Sequence, residues 1–434
     1  MLSLNKIEKY LTLRYISFVL LIFLIAFLFF FNKPFLQGDE GRYLRFSENI
    51  LNGYYANPDL KPGFLWNGPG YPLVISPLKF FDPPLIIYRL LNVLFIYFGF
   101  YFCYQFLLNF FKSSSALLIS LISTLSHPYI LNAVTRILTE SLSFFLVNFI
   151  AYSLVEYIAL NKTKYFFYGS IASGLLILTK VFFAYVFLVV AFITLTLFLF
   201  KKINSKFTLM FFSSFLICIP YLFYTYSVTG KFFYWSDAGG STLYSMSTPY
   251  DEEYGDWFPP YIDPTTNKIR YSQTETRTTI PKRNSPFFEK HFLFFSSIQQ
   301  KFGVEKDQLL KEKAIENIFN HPVKYLKNIG SNISRIFIRT PFTDRELKDN
   351  FKIVFYSHGI IILLCYIFSL ITLFFIKNRD YILILGLFTF TALAGMSFLS
   401  AESRFLFPIY GIFMPLIFIQ LKNFNAWLNQ KKFR

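Results

Sequence analysis

Ten stretches of this chain stay apolar for close to the roughly 20 residues a helix needs to cross a bilayer. Few folds other than a membrane bundle can absorb so many. They cover residues 11–31, 85–110, 115–133, 137–159, 165–180, 181–200, 207–227, 352–376, 380–398 and 404–421. Of the 434 residues, 54% are hydrophobic and 15% charged, whereas a soluble domain carries about 25% charged residues. The expected fold is therefore an all-α polytopic membrane protein with about ten transmembrane helices.

A net charge of +17 could suit a polyanionic partner, so the placement of the charge decides its meaning. Lysines and arginines cluster where apolar runs end: Lys6, Lys9 and Arg14; Lys112; Lys162 and Lys164; Lys201, Lys202 and Lys206; Lys377 and Arg379; Lys422, Lys431, Lys432 and Arg434. Short basic loops stay in the cytoplasm. With the amino terminus inside, alternating spans put all of these clusters on the cytoplasmic side. The excess is a topology signal, not a nucleic-acid site. It implies a multi-pass protein of the plasma (bacterial inner) membrane.

Cys103, Cys218 and Cys365 fall inside apolar runs, so no disulfide framework is implied. The first run is too long for a signal-peptide core, and Asn32-Lys33-Pro34 lacks a small-residue cleavage site. It reads as a retained span.

Two segments then face the periplasm or exterior. The first runs from Lys33 to about Pro84, within an amino-terminal transmembrane module of residues 1–227. The second is a large non-cytoplasmic loop, 228–350, followed by a carboxy-terminal module, 351–434. The large loop holds an aromatic, turn-rich stretch from Phe232 to Ile262 and helical patterning from about Ser297 to Phe337. Ile315, Ile318 and Phe319 precede Pro322, and Tyr325, Ile329, Ile333, Ile336 and Phe337 follow it. These spacings suit amphipathic helices on the membrane surface.

The polar chemistry sits at the outer ends of the spans. Asp39 and Glu40 open an expected short helix ending near Gly53, where the helix dipole favours acids. Asp39, Tyr43, Phe46 and Ile50 share one face. On spacing alone the acids serve equally well as helix caps or as site carboxylates. Trp66 and Tyr71 flank the Asn67-Gly68-Pro69-Gly70 turn and offer flat faces for stacking on a sugar, or an ordinary interfacial belt. Arg136 and Glu140 open the fourth span, where Glu140 is either a second site carboxylate or an i, i+4 partner of Arg136. Lys180 lies between the fifth and sixth spans, and Glu402 and Arg404 open the last. Either cation could be a simple anchor. Together, these charges come from distant parts of the chain to one depth on one side, and anchoring does not require carboxylates there.

Asp39-Glu40 after the first span, the Gly-Pro-x-Tyr-Pro turn and Thr139-Glu140 resemble the C-type (GT-C) membrane glycosyltransferases, in particular the protein-mannosyltransferase and aminoarabinose-transferase branch. Gly174 to Lys180, Glu402-x-Arg404-Phe405-x-x-Pro408 and Ala314 to Leu326 fit the same pattern. The resemblance implies a transferase that takes a sugar from a polyprenyl-phosphate donor and passes it, with inversion, to a hydroxyl of a lipid, glycan or protein in the cell envelope. It implies Asp39 as general base, supported by Glu40 and Glu140. Arg404, Lys180 and Arg136 would meet the lipid phosphate, and Tyr43, Trp66 and Tyr71 the substrates. Tyr and Trp residues between Phe232 and Trp257 would form an acceptor platform. The aminoarabinose transferases carry Glu-Lys-Pro-Pro where this chain has Asn67-Gly68-Pro69-Gly70, so neither that donor nor an associated metal carries over. A divalent metal at Asp39, Glu40 and Glu140 is conceivable, but the four histidines show no ligand spacing. No cofactor follows from these residues.

Three rivals fit a many-pass chain. A transporter or flippase would show inverted repeats and midplane polar groups. An O-antigen polymerase or ligase would not need an Asp-Glu pair straight after the first span. A purely structural membrane protein would not need the outer carboxylates.

Overall fold

The computed structural model describes residues 4–59, 63–257, 286–338, 349–375 and 380–432, whose regular structure is all helical, with no strand among them. From the amino terminus the helices are α1 (Leu4–Phe31), α2 (Glu40–Leu51), α3 (Gly70–Phe81), α4 (Leu85–Leu107), α5 (Ser113–Leu125), α6 (Ile130–Thr135), α7 (Thr139–Ile158), α8 (Lys164–Thr179), α9 (Phe182–Leu199) and α10 (Ser205–Thr229). The loop segment carries α11 (Gly239–Met246), α12 (Pro286–Ser297), α13 (Gly303–Asn320) and α14 (Pro322–Phe337). The chain closes with α15 (Asp349–Phe375), α16 (Asp380–Phe398) and α17 (Phe407–Lys432), the last preceded by a 3-10 turn at Ser403–Phe405.

Eight of the described helices are long and apolar enough to cross a membrane: α1, α4, α7, α9, α10, α15, α16 and α17. The third and fifth expected spans differ. Residues 115–133 divide into α5, of 13 residues, and the single short turn of α6. The place of 165–180 is taken by α8, of 16 residues. The division falls at Ser126-His127-Pro128, because proline disfavours helical geometry in the residue before it.

The outward-facing surface identifies the solvent. On α1, Leu20, Leu24 and Leu28 are buried at i, i+4 spacing, while Phe18, Phe23 and Phe30 are exposed. Exposed Tyr185 and Phe192 on α9, Leu216 and Phe223 on α10, and Ile361 and Leu364 on α15 continue the pattern. A water-facing protein does not cover itself with contiguous large apolar side chains. This surface belongs in lipid, and the protein is a multi-pass membrane protein by its helices. Helix α7 runs through the centre, packed on α4, α8 and α17.

Helix ends sort by charge. Lys162 pairs with Glu156, Lys206 bonds Asn161, and Lys422 reaches the Phe110 carbonyl, all at one end of the bundle. The acids and bases singled out in the sequence gather at the other end. Lys377, Arg379 and Arg434 lie outside the described residues, as does the 258–262 end of the aromatic stretch.

Helices α11 to α14 cover that second end, and α14 clamps it. The buried face of α14 carries three polar side chains, Asn328, Asn332 and Arg335, beside Ile336. Asn332 Nδ2 donates to the carbonyls of Met396 (2.8 Å), Ser397 (3.1 Å) and Leu399 (2.6 Å), and its Oδ1 accepts from Ala401 N at 3.1 Å. Arg335 donates to the carbonyls of Tyr254 and Gly255, each at 3.0 Å. Tyr325 Oη donates to the Phe398 carbonyl at 2.9 Å. These bonds satisfy the carbonyls left open where α16 ends and fix the loop that carries Glu402 and Arg404. Val323 and Leu326 remain exposed on the other side of α14, whereas Ile336 of the expected surface-lying apolar face is buried.

Candidate functional site

The site is built from α2, the turn before α3, the start of α7, the break between α8 and α9, and the turn before α17. Asp39 precedes α2 and makes no side-chain capping bond. Its Oδ1 accepts from Arg42 Nη2 at 3.0 Å, and its Oδ2 accepts from Arg404 Nη1 and Nη2 at 3.3 and 3.4 Å. Asp39 thus joins two ends of the chain 365 residues apart. Arg404 Nε lies 3.8 Å from Glu402.

Burial alone would raise the Asp39 carboxyl, but Arg404 and Arg42 outweigh it and hold the group below the usual carboxylate range. Its side chain retains 29% exposure, so the carboxylate is ionised and reachable.

A second ion pair stands beside the first. Lys180 Nζ donates to Glu140 Oε1 at 3.0 Å, with side chains only 10% and 3% exposed. Lys180 and Arg404 bracket the Phe405 ring, at 4.7 and 5.1 Å from its centroid. Glu140 therefore pairs with Lys180 and not with Arg136. Among the described residues the Arg136 side chain, half-buried, meets no acid.

Local geometry places Lys180 there. Helix α8 ends at Thr179, and Lys180 is extended (φ −131°, ψ 95°). The turn before α3 presses on this break. A Cβ at Gly68 would lie 2.1 Å from the Leu178 carbonyl oxygen, and one at Gly70 2.5 Å from Thr179 N. Only glycine lets the two backbones approach this closely, which accounts for the Gly-Pro-Gly turn without a substrate.

Glu40 takes a structural place instead of the catalytic one expected. It is fully buried and bonds Arg89 Nη2 at 3.1 Å, while Oε1 accepts from Ile137 N at 2.8 Å and Oε2 from Gln37 N at 2.5 Å. Arg89 also donates to Asn32 Oδ1 at 2.6 Å and to the Lys33 and Phe35 carbonyls. The extended residues between α6 and α7 gain a further bond where Asn92 Nδ2 donates to the Arg136 carbonyl at 2.6 Å. Backbone opened at this depth must find such partners. Arg89 escaped the sequence reading, although an arginine one turn into an apolar run signals a buried acid. Replacing Glu40 with Gln strands the Arg89 charge and should cost about 3–5 kcal/mol. The check is the melting temperature of the purified protein, and a variant melting with wild type would refute the strut.

Tyr71 is likewise corrected from sugar platform to core. It is fully buried, donates to Asn92 Oδ1 at 3.0 Å and meets Tyr43 edge-on at 5.4 Å. Tyr43 is buried too, and its hydroxyl accepts from Asn67 Nδ2 at 3.4 Å. Trp66 is half-buried, stacked on Phe64 at 5.9 Å with the Arg42 guanidinium 5.4 Å above it. In the loop segment Trp235, Tyr234 and Tyr244 are buried against Tyr221, Asp307 and His291, so these three form no acceptor platform. Asp237 holds the strand of chain leading to Trp66, exchanging bonds with Leu65 N and O at 3.1 Å each. Burial pushes its carboxyl up to about 7.

A small pocket of about 20 Å³, room for roughly one water, is lined by His127, Ile336, His358, Ser403, Leu406 and Tyr410 among others. Its walls are mostly apolar. Compared with models of known families and with characterised proteins, the sequence matches none. What the site does must be argued from its chemistry.

Among the described residues no group of three or more His, Cys, Asp and Glu converges to hold a metal ion. Asp39, Glu40 and Glu140 are instead neutralised separately, by Arg42 and Arg404, by Arg89 and by Lys180. That donor set does not fit a shared divalent ion.

Proposed function

We propose that the protein is a glycosyltransferase that moves a sugar from a polyprenyl-phosphate donor to an acceptor hydroxyl at the non-cytoplasmic face of the membrane, with inversion. The observation that carries this reading is the Asp39–Arg404 contact: a reachable carboxylate held against a guanidinium. This pairing suits a reaction that needs a base for one oxygen and positive charge for another.

In the proposed step Asp39 takes the proton of the acceptor hydroxyl. The acceptor oxygen bonds to the anomeric carbon from the face opposite the phosphate. The bond from that carbon to the phosphate oxygen breaks, and the electron pair leaves on the lipid phosphate. Arg404 and Arg136 stabilise that charge, while Glu140 keeps Lys180 in place beside Phe405. The acidity of Asp39 then has a use. In the resting protein Arg404 keeps it a weak base; phosphate drawing Arg404 away raises its basicity when substrate is bound.

The charges stand at the helix ends rather than at mid-bundle, which favours a transferase over a transporter. The test is reconstitution in lipid bilayers with a panel of polyprenyl-phosphate sugars, alongside mass spectrometry of envelope glycolipids in a deletion strain. Donor-dependent release of polyprenyl phosphate and loss of one glycan modification are expected. Failure of every donor together with an unchanged glycan profile would remove the proposal.

A further inference from the structure

The side chains of α14 sort into three sectors around the helix. The first points into the protein: Asn328 Nδ2 donates to the Met246 and Thr248 carbonyls at 3.0 and 3.1 Å, and Asn332 and Arg335 make the bonds already described. The second is basic. Lys324 Nζ donates to the Glu253 carbonyl and, at 3.5 Å, to that of Asp251, and Lys327 is exposed. The third is apolar, with Leu326, Ile329, Ile333 and Phe337 recurring at i, i+3, i+7 and i+11. Leu326 is 65% exposed, and the other three are half-buried.

The neighbours of each sector show what lies outside it. Tyr325 Oη bonds the Phe398 carbonyl, which sets the start of α14 against the end of α16, where Phe398 is 52% exposed. At the other end Phe337 meets Phe413 at 6.2 Å, and a Cβ on Gly359 would lie 2.2 Å from the Phe337 carbonyl oxygen. Phe413 and Gly359 belong to the spanning stretches Phe407–Gln430 and Tyr356–Leu373. The helix therefore runs along the edge of the bundle, from the end of α16 to the flanks of α15 and α17. Its apolar sector continues the lipid-facing surface at Phe398, and its basic sector turns toward Asp251 and Glu253 of the covering loop. Apolar on the side of the spans and cationic on the side of the loop is the pattern of a helix lying in the plane of a membrane interface.

We propose that α14 is seated in the bilayer leaflet next to the charge cluster, with Leu326, Ile329 and Ile333 against the acyl chains and Lys324 and Lys327 toward water. The occupant of the apolar sector is membrane lipid. The same helix holds Ala401 N through Asn332 Oδ1 at 3.1 Å, three residues before Arg404. The leaflet thus bears on the loop that carries Arg404. This inference rests on the lipid-facing bundle and not on the donor class.

The test uses the wild-type protein in nanodiscs of phosphatidylcholine and phosphatidylglycerol. One arm contains a phosphatidylcholine with a diazirine in its acyl chain, the other a water-soluble diazirine, and adducts are located by mass spectrometry after illumination. Leu216, exposed on α10, is the lipid-facing reference. Leu326 and Ile333 should carry lipid adducts as Leu216 does, while Lys327 should react with the aqueous reagent. Aqueous adducts at Leu326 without lipid adducts would overturn the seating, because that face would then stand in water. Adducts from neither reagent at Leu326 would overturn it too, because another part of the chain or a second copy would then cover the face. No lipid adduct at Leu216 would overturn the lipid-facing bundle and this inference together.

Discussion

Asp39→Asn should reduce sugar transfer by about a hundred- to ten-thousand-fold, the range expected when a positioned general base is lost, with the protein still folded. Asparagine keeps the shape of the side chain, and its one amide oxygen can still accept from one of the two arginines, Arg42 at 3.0 Å or Arg404 at 3.3 Å in the native site, but it cannot take a proton. The fold does not lean on Asp39 as it does on Glu40, since the Asp39 side chain is 29% exposed. Turnover and melting temperature should therefore separate: the first collapses and the second holds. The pH profile adds a second check. Arg404 and Arg42 hold the Asp39 carboxyl below its usual range despite burial. In the free enzyme the base is thus ionised well into acid, and kcat/KM should fall only at a pH below the ordinary carboxylate value. Once donor phosphate engages Arg404, that hold weakens and the acid limb of kcat should move upward. An Asp39→Asn protein turning over at the wild-type rate would end the assignment of Asp39 as base.

Much of the architecture was legible because lipid imposes long apolar runs and basic loops. Each of the ten expected spans has a helix at its place, although α5 and α6 divide one of them. Asp39, Glu140, Lys180 and Arg404 could be singled out because a charge at the end of an apolar run is conspicuous. Their pairing was not legible. Spacing offered Arg136 as the partner of Glu140, whereas the bundle brings Lys180 from 40 residues further on. Glu40 and Asp39 are adjacent in sequence but diverge in role: Asp39 faces the opening and Glu40 turns inward to Arg89, and adjacency cannot show which does which. The polar face of α14 was hidden for a similar reason. Asn332 and Arg335 bond backbone carbonyls, and carbonyls leave no trace in the side-chain pattern. Tyr71 illustrates the limit for aromatic residues. A Gly-Pro turn marks where the chain reverses, but not whether the next ring faces inward.

Arg404 provides the second large effect, and its two duties predict a combined signature. Its guanidinium bonds Asp39 Oδ2 at 3.3 and 3.4 Å and lies 5.1 Å above the Phe405 ring. Arg404→Met removes a preorganised cation from the place where charge develops on the leaving phosphate. Losses of about a hundred- to a thousand-fold in kcat accompany removal of one such donor. Arg404→Lys should lie between, because lysine retains the charge but loses the planar fork. The same Arg404→Met substitution frees Asp39 from its strongest opposing charge, leaving Arg42 at 3.0 Å. The Asp39 carboxyl should then rise toward its ordinary value, and the acid limb of kcat/KM should shift to higher pH. A residue that merely anchored α17 would lower stability without moving that limb. A residue that only bound lipid would raise KM without lowering kcat. The joint loss of kcat and upward shift of the limb belongs to a cation shared between base and leaving group. An Arg404→Met enzyme with unchanged kcat and an unmoved limb would dissolve that sharing, and with it the proposed step.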